Sequence, residues 1–337
     1  MRLALDSMGG DFAPRNMIAG AQLAMREHGI VETLFLVGDQ DKIRAEMKAL
    51  SFHDPRVEIV HCTQVVDMTD SAVKSIRQKK DSSISVAMDL VKEGKAQAVI
   101  SAGHTGAAVA AATVKLRTLR GVERAAIGTP FPNLHGTCLL IDAGASVDSR
   151  PIHLVQQAIM GSIYMKYVYG VDRPVVGLMS NGEEEGKGNA VTQEVFDLLR
   201  VTPGINFKGN IEGRDLANAP IHVAVCDGFV GNILLKGAEG TAKAMGFLIK
   251  QALTSSLWRK VLAGLLKPAL KAAADKMNYE HHGGSPLLGL NGVSIIAHGS
   301  SSALAMKNAI RVGTEAIHGS VNAHIEEAIA KASQPAA

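Results

Sequence analysis

Short apolar segments alternate with longer amphipathic ones along most of this 337-residue chain. The apolar run RLALD is followed by a helical pattern to about His28, and TLFLVGD is followed by a helical pattern through Met47 and then by the run VEIVHC. Strand-length runs separated by helix-length segments are typical of βαβ units. We therefore predict an α/β fold, in which a mainly parallel twisted sheet carries helices on both faces.

Further apolar runs extend this pattern at residues 98–102, 137–144, 175–181, 222–228 and 293–299, and each ends in a small or polar cluster. In open α/β sheets, ligands bind where the carboxyl ends of strands meet helix N-termini, so we expect the functional site at these strand ends. The sequence has no internal repeat or low-complexity linker. We predict a single bilobed body over residues 1–330, an amphipathic helical insertion within it at 243–276, and a flexible tail at 331–337.

Composition limits the protein class. Apolar residues make up 47% of the chain, which is enough for a large core and excludes a disordered or fibrous protein. The three cysteines, Cys62, Cys138 and Cys226, are too far apart for a disulfide framework or a C-x-x-C zinc site, and the histidines lack an H-E-x-x-H pattern. We expect no metal and no cofactor. The first residues turn polar too early for a secretory signal, and no 18-residue apolar run occurs, so we expect a cytoplasmic protein.

Basic residues are concentrated in one segment. The net charge of the whole chain is +3, too small to indicate a nucleic-acid partner. Between Lys243 and Lys276, however, seven lysines and arginines face a single acid, Asp275. At helical spacing, Arg259, Lys260 and Lys267 lie opposite an apolar face. Such a helix can rest on an anionic membrane, pair with a copy of itself, or simply face a core. Pro268 is expected to kink or break it, giving two short helices instead of one long one. The predicted apolar face contains Leu257, Trp258, Val261, Leu262, Leu265 and Leu266.

Six glycine-rich loops follow the predicted strands or precede helical runs. Glycine lets backbone N–H groups approach an anion, and a helix N-terminus adds positive partial charge, so such loops can hold phosphate. None matches G-x-x-x-x-G-K-[ST], and none gives G-x-G-x-x-G after the first strand, which disfavours nucleotide hydrolysis and standard dinucleotide binding. A single glycine loop is often only turn geometry, but six together favour a ligand site. The candidate phosphate or substrate ligands are Asp6, Gly9, Gly10, Asp11, Gly103, His104, Thr105, Gly106, Asn181, Gly182, Gly188, Asn189, Gly228, Gly231, His298, Gly299 and Ser300.

Three side chains are candidates for the chemistry itself. Lys187, in GEEEGKGN, could meet a phosphate as a point charge, or could pair with one of the three glutamates before it. Asn232 could donate to a developing oxyanion, and Asp227 could hold a donor or act as a base. Both could instead cap a helix. Cys226 lies in an apolar strand, where a buried, inert thiol is expected.

The loops occur in an order that resembles the bacterial phosphate acyltransferases of the PlsX type, from Met1 to about Val321. The matching stretches are DSMGGD, SAGHTGA, GEEEGKGN, FKGNIEGRD, CDGFVGN with LKGAEG, and GGSPLLGL followed by AHGSS. Three positions depart from the usual pattern: His104 stands where the family has Asn, Ser146 stands where GAN is usual, and Ser7 replaces a small apolar residue. A histidine at 104 can still donate a hydrogen bond.

The resemblance implies transfer of a long-chain acyl group from an acyl carrier protein to inorganic phosphate, which supplies acyl phosphate to phospholipid synthesis. It also implies a fold similar to isopropylmalate dehydrogenase and phosphotransacetylase, a homodimer, and peripheral contact with the inner face of the cytoplasmic membrane. Phosphate can attack a thioester directly, so we expect no covalent enzyme intermediate. Three alternatives stay open: a CoA-dependent phosphate acetyl- or butyryltransferase, an isopropylmalate-type dehydrogenase, and a membrane adaptor without activity.

Overall fold

The computed structural model describes residues 1–67, 69–276, 280 and 282–333, and within these ranges eleven strands form one sheet. The strands are β1 (Arg2–Asp6), β2 (Thr33–Gly38), β3 (Val57–His61), β4 (Ala98–Ser101), β5 (Ala126–Asn133), β6 (Gly136–Ile141), β7 (Val175–Met179), β8 (Asn206–Ile211), β9 (Val223–Val225), β10 (Ser285–Leu288) and β11 (Val293–Ile296).

Helices follow most of these strands, as the alternating pattern predicts. They are α1 (Arg15–Glu27), α2 (Gln40–Ala49), α3 (Ala72–Gln78), α4 (Ser83–Lys92), α5 (Thr105–Lys115), α6 (Pro151–Tyr167), α7 (Ala190–Val201), α8 (Asp215–Asn218), α9 (Gly228–Thr254), α10 (Leu257–Lys276), α11 (Ala303–His318) and α12 (Val321–Ala332).

The strand order is β3-β2-β1-β4-β11-β10-β5-β6-β9-β7-β8. The first five strands are mutually parallel, and so are the last four, whereas β10 and β5 run antiparallel to their neighbours and join the two halves. We call β3-β2-β1-β4-β11 the first half-sheet and β6-β9-β7-β8 the second half-sheet. The predicted α/β fold with a mainly parallel sheet is confirmed. Each half-sheet therefore presents the loops after its strands along one edge.

The sequence pattern does not predict three of the strands, β5, β8 and β10. Both Pro130 and Pro132 lie within β5, and proline cannot donate to a sheet ladder. The structure accommodates them because β10 pairs only with Ala126 and Ile127, so both prolines lie beyond the paired part of that side. In β8, Gly209 adopts a positive φ of 117° beside a register shift in the pairing with β7, which interrupts the strand signal.

Helices α9 and α10 pack against each other and extend away from the sheet as a helical hairpin. The prediction that Pro268 divides the basic segment into two short helices is wrong, since α10 continues through this residue. The chain turns earlier, at residues 255 and 256, between the two helices. The proline is tolerated because α10 is exposed, so the carbonyl that loses its N–H partner can be hydrated.

The chain end also differs from the prediction. Helix α12 ends at Ala332, so residues 331 and 332 form its last turn instead of a tail, and residues 334–337 lie outside the described residues. The apolar side chains of this helix, Val321, Ile325 and Ile329, are buried in the core around α6. Within the described ranges, no helix has the length and apolarity that crossing a membrane requires.

Candidate active site

Loops after β1, β4 and β11 converge at the carboxyl edge of the first half-sheet. The amide of Asp11 donates to the carbonyl oxygen of Gly299 at 2.8 Å. A Cβ atom on Gly9 would lie 2.7 Å from the amide nitrogen of Gly103, and one on Gly10, whose φ is 104°, would lie 3.0 Å from the Gly299 oxygen. Only glycine permits this close approach. Three of the six predicted loops therefore meet at one place.

The carboxyl group of Asp6 lies at the centre of these loops. It is buried and accepts hydrogen bonds from the hydroxyl of Ser101 at 2.7 Å and from the amide of Met8 at 3.2 Å. Burial raises the pKa of Asp6, although hydrogen bonds from Ser83, Ser101 and two loop amides oppose the shift. These donors are thus directed at the carboxyl group, and Asp6 holds the loops together.

The imidazole of His104 caps α5. Its Nδ1 accepts the amide of Ala107 at 3.1 Å, so in the neutral ring the proton resides on Nε2 and makes that atom a donor. The ring lines a small pocket, together with Asp6, Ser83 and Ser101 on the polar side. Apolar side chains of the neighbouring helices and of residues 65 and 66 form the rest of the wall. Position 104 can therefore provide the donor that the resemblance requires.

His298 adopts a similar arrangement after β11. Its Nδ1 accepts the amide of Ser300 at 3.1 Å and lies 2.7 Å from the Ser300 hydroxyl. Thr105 and Gly106 form the first turn of α5, directly beside the His104 cap. The first-half-sheet residues predicted for phosphate or substrate binding thus lie within one group of loops.

A second group of loops follows β6 and β9. Asp142 is fully buried directly after β6, and its carboxyl oxygens accept amide hydrogen bonds from its own loop. Gly228, at the start of α9, donates its amide to the carbonyl oxygen of Ser146 at 2.8 Å. Asp227 is the N-cap of α9 and accepts the amide of Val230 at 2.8 Å, so the capping interpretation applies to it.

Asn232 is exposed on the first turns of α9 and faces the loop after β6. A Cβ atom on Gly144 would lie 3.6 Å from the Cβ of Asn232 and 3.9 Å from its Oδ1. Its carboxamide makes no hydrogen bond to another described residue, unlike the N-cap Asp227. The amide of Asn232 is therefore available for a ligand.

Lys187 lies on the loop between β7 and α7. Glu183 pairs with Arg214 and Glu185 with Arg200, whereas within the described part of the chain the Lys187 ammonium has no ion-pair partner. The interpretation in which Lys187 pairs with the preceding glutamates therefore does not hold. The loop is closed by neighbouring contacts: Asn181 accepts the amide of Gly188, Asn189 caps α7, and Gly182 is buried against the Lys187 stem.

The two groups of loops are linked through apolar packing. Ala143 and Ala145, which follow β6, belong to the same hydrophobic cluster as Ala107 and Ala108 of α5. Among the described residues, no hydrogen bond joins Lys187 to Asn232. Lys187 lies on the loop after β7 and Asn232 on the first turns of α9, which follows β9, both at the carboxyl edge of the second half-sheet.

Sequence reasoning gave no role to the residues that organise these loops, namely Asp142, Ser83 and Ser101, although Asp142 and Ser101 begin two of the six glycine-rich loops. Asp142 ends an apolar run in the same way as Asp6, as LLID and LALD, and this parallel is the signal that could have identified it. Ser101 immediately precedes a glycine loop, which is a weaker signal. Cys226 is buried and desolvation raises the pKa of its thiol well above the usual value, so it is no nucleophile. Across the described ranges, no three His, Cys, Asp or Glu side chains come together as metal ligands would.

Comparison with known proteins gives a consistent result. Residues 1–324 match the family described as "Fatty acid synthesis protein". The chain is 48% identical over 317 residues to the phosphate acyltransferase of Pelotomaculum thermopropionicum, which covers 94% of this chain and 92% of that protein. It is 47% identical over 336 residues to the phosphate acyltransferase of Akkermansia muciniphila. That alignment covers 98% of this chain and 96% of the relative.

Solved structures share the fold at low sequence identity. The EutD phosphotransacetylase from Staphylococcus aureus superposes with a TM-score of 0.59 at 16% identity, over 94% of this chain and 93% of that one. A branched-chain phosphotransacylase from Enterococcus faecalis superposes with a TM-score of 0.55 at 15% identity, over 94% of this chain and 100% of that one. Because the family match and the near-half identity to its named members both extend over almost the whole chain, this acyltransferase belongs to the PlsX-type phosphate acyltransferase family.

Proposed function

We propose that the protein transfers a long-chain fatty acyl group from an acyl carrier protein to inorganic phosphate. The observation that carries this proposal is the similarity, over almost the full length, to relatives named phosphate acyltransferase. A phosphate oxygen attacks the thioester carbon, the C–S bond breaks, and the carrier thiolate leaves as acyl phosphate forms. No enzyme nucleophile takes part, which agrees with the burial of all three cysteines.

Lys187 supplies the positive charge that holds phosphate in this mechanism. Its ammonium is exposed and free of the neighbouring glutamates, so it can approach an anion without first breaking an ion pair. Amides of the glycine loops add donors where they are not already engaged. Those of Met8, Gly144 and Ser146 donate to aspartates, so they shape the loops and do not contact phosphate.

Asn232 donates to the oxyanion of the tetrahedral intermediate. Its carboxamide has no internal partner and lies at a loop that glycine keeps open, which are the features that this role requires. Asp6, Asp11 and Asp227 organise donors around the site. Asp6 already accepts a loop amide and Asp227 the amide of Val230 in the first turn of α9, which supports an organising role for both.

The carrier protein, the membrane and a second copy of the chain are the partners in this proposal. Helix α10 is exposed and carries the basic residues predicted to meet an acidic carrier or an anionic lipid surface. Delivery of an apolar, hydrolysable product directly to a membrane would protect it from water. The protein then works in the cytoplasm, at the inner face of the membrane, as a homodimer.

The test is acyl phosphate formation by the purified protein from an acyl-carrier-protein thioester and phosphate. Lys187→Ala and Asn232→Ala should each lower turnover, Asn232→Ala by about 100-fold or more, as for other oxyanion donors. Lys208→Ala and Asn206→Ala, on β8, are matched controls and should turn over normally. Unchanged turnover in both site variants would contradict the assignment of Lys187 and Asn232 to the site. If the protein uses acyl-CoA as well as or better than the carrier-protein thioester, the proposed acyl donor is wrong.

A further inference from the structure

The buried carboxyl group of Asp142 accepts more hydrogen bonds than any cap in the site. Oδ1 accepts the amides of Ile127 at 3.1 Å, Gly144 at 3.0 Å and Ala145 at 2.9 Å, and Oδ2 accepts the amide of Ser146 at 2.8 Å. The residue is 0% exposed. Its oxygens therefore cannot reach a substrate, and their effect is on the loop that follows.

This loop is in turn in contact with the start of α9. The carbonyl oxygen of Ser146 accepts the amide of Gly228. A Cβ atom on Gly228 would lie 2.9 Å from Oδ2 of Asp142, and one on Gly231 would overlap the Asp142 carbonyl oxygen. Asp142 and the first turn of α9 are thus in close contact, and neither glycine position leaves room for a side chain.

Asn232 follows directly in the same turn and faces Gly144, whose φ of 137° is one that glycine adopts readily. The backbone position of Asn232 therefore depends on two contacts that both involve Asp142: the loop residue that Asn232 faces, and the helix turn that carries it. An asparagine at position 142 would keep the shape of the side chain, but its NH₂ group is a donor, so it could not accept all four hydrogen bonds.

We propose that Asp142 is a positioning residue, which fixes the loop of residues 143–146 against α9 and thereby places the Asn232 carboxamide where the oxyanion forms. This inference rests on the proposed role of Asn232. A group displaced by about 1 Å from its productive geometry can cost about 100-fold in rate, so the loop geometry matters even though Asp142 touches no reactant.

The test is a double-mutant cycle on the full-length protein, with Asp142→Asn and Asn232→Ala, read out as kcat and KM for phosphate and for the carrier thioester. The substituted carboxamide would turn an NH₂ group toward the N–H of a loop residue, so Asp142→Asn should lower kcat by about 10- to 100-fold with little change in KM. With Asn232 already replaced by Ala, the same change should cost less than about 3-fold, because the group that it positions is absent.

Several outcomes discriminate. If Asn232→Ala lowers kcat and the Asp142→Asn effect is fully additive, the positioning inference is overturned while the proposed function stands. If Asn232→Ala leaves kcat unchanged, the oxyanion assignment fails first and the inference fails with it. Asp54→Asn, which weakens the hydrogen bonds to Arg56 before β3, at the edge of the sheet opposite the site, is the matched control and should leave kcat unchanged.

Should Asp142→Asn fail to fold, Gly144→Ala provides a milder perturbation of the same loop. Its methyl group would lie 3.6 Å from the Asn232 Cβ, at ordinary contact distance, while the positive φ shifts the loop backbone. Its kcat loss should likewise shrink in the Asn232→Ala background. A loss of the same size in both backgrounds would overturn the inference.

Discussion

His104, at a position where the resemblance implies Asn, performs a local task that an asparagine can also perform. Its Nδ1 caps α5, and an asparagine oxygen can accept the same amide. We expect His104→Asn to keep the unfolding free energy, and His104→Ala to lower it by about 1 kcal/mol, as other cap deletions do. Urea unfolding measures both. Equal losses in the two variants would contradict a capping role, and Asp39→Ala is a matched cap deletion on α2.

His222 makes the stability of the fold depend on pH. Burial lowers the pKa of this histidine below 6.5, and its Nδ1 accepts the amide of Val175 at 3.1 Å, which requires the unprotonated atom. The unfolded chain therefore binds more protons than the folded one below pH 6.5, so unfolding free energy should fall as pH drops through that range. His222→Gln should make this slope smaller but not remove it, because burial also lowers the pKa of His28 and His153. An unchanged slope would contradict the assignment.

At the scale of elements, helix α9 contains glycines with opposite requirements. A Cβ atom on Gly231 would overlap a backbone oxygen, whereas one on Gly237 meets nothing within 4 Å. We expect Gly231→Ala to destabilise the protein by about 2–3 kcal/mol. Gly237→Ala, in the exposed part of the same helix, should stabilise it by about 0.5–1 kcal/mol. Thermal unfolding compares the two variants. If the two variants change the unfolding temperature equally, the loop after Asp142 moves to make room for the methyl group added at position 231.

The elements that sequence patterns predicted are those in which local pattern and tertiary packing agree. Strands such as β1 and β4 are buried on both faces and appear as continuous apolar runs. Strand β5 was missed because its prolines are acceptable only where β10 stops pairing, a condition set by a segment more than 150 residues away. The continuity of α10 through Pro268 likewise depends on its exposure, which no local pattern reveals.

At the scale of the whole molecule, the sequence predicts the loops of the candidate site but not the hydrogen bonds that hold them. Glycine loops at strand ends follow from the alternating pattern. The engagement of their amides by Asp6 and Asp142 does not, because the pairing of Ser101 with Asp6 spans 95 residues. The same limit applies to Lys187, since its freedom from Glu183 and Glu185 depends on arginines further along the chain.

Most of the exposed large apolar side chains among the described residues lie on the α9–α10 hairpin, so a single chain does not use this face as core. Leu257 is 81% and Trp258 71% exposed, and Leu262 and Leu266 on the same helix are exposed as well. Apolar side chains beside basic ones bind an interface between water and anionic lipid. Replacing these four residues together by Gln should abolish sedimentation with phosphatidylglycerol vesicles while turnover in solution persists.

The control for the hairpin variant replaces Leu134 and Val201, which are about as exposed as Leu257 and Trp258 but lie outside the hairpin, and it should sediment like the parent protein. Vesicles of phosphatidylcholine test the charge requirement, since basic residues add about 1 kcal/mol each only at an anionic surface. If turnover and the molecular mass in solution fall together in the hairpin variant, the face is a contact between two copies of the chain, and the membrane assignment is wrong. Binding that persists on phosphatidylglycerol after all four replacements would exclude this face as the membrane contact, because its apolar area would then contribute nothing.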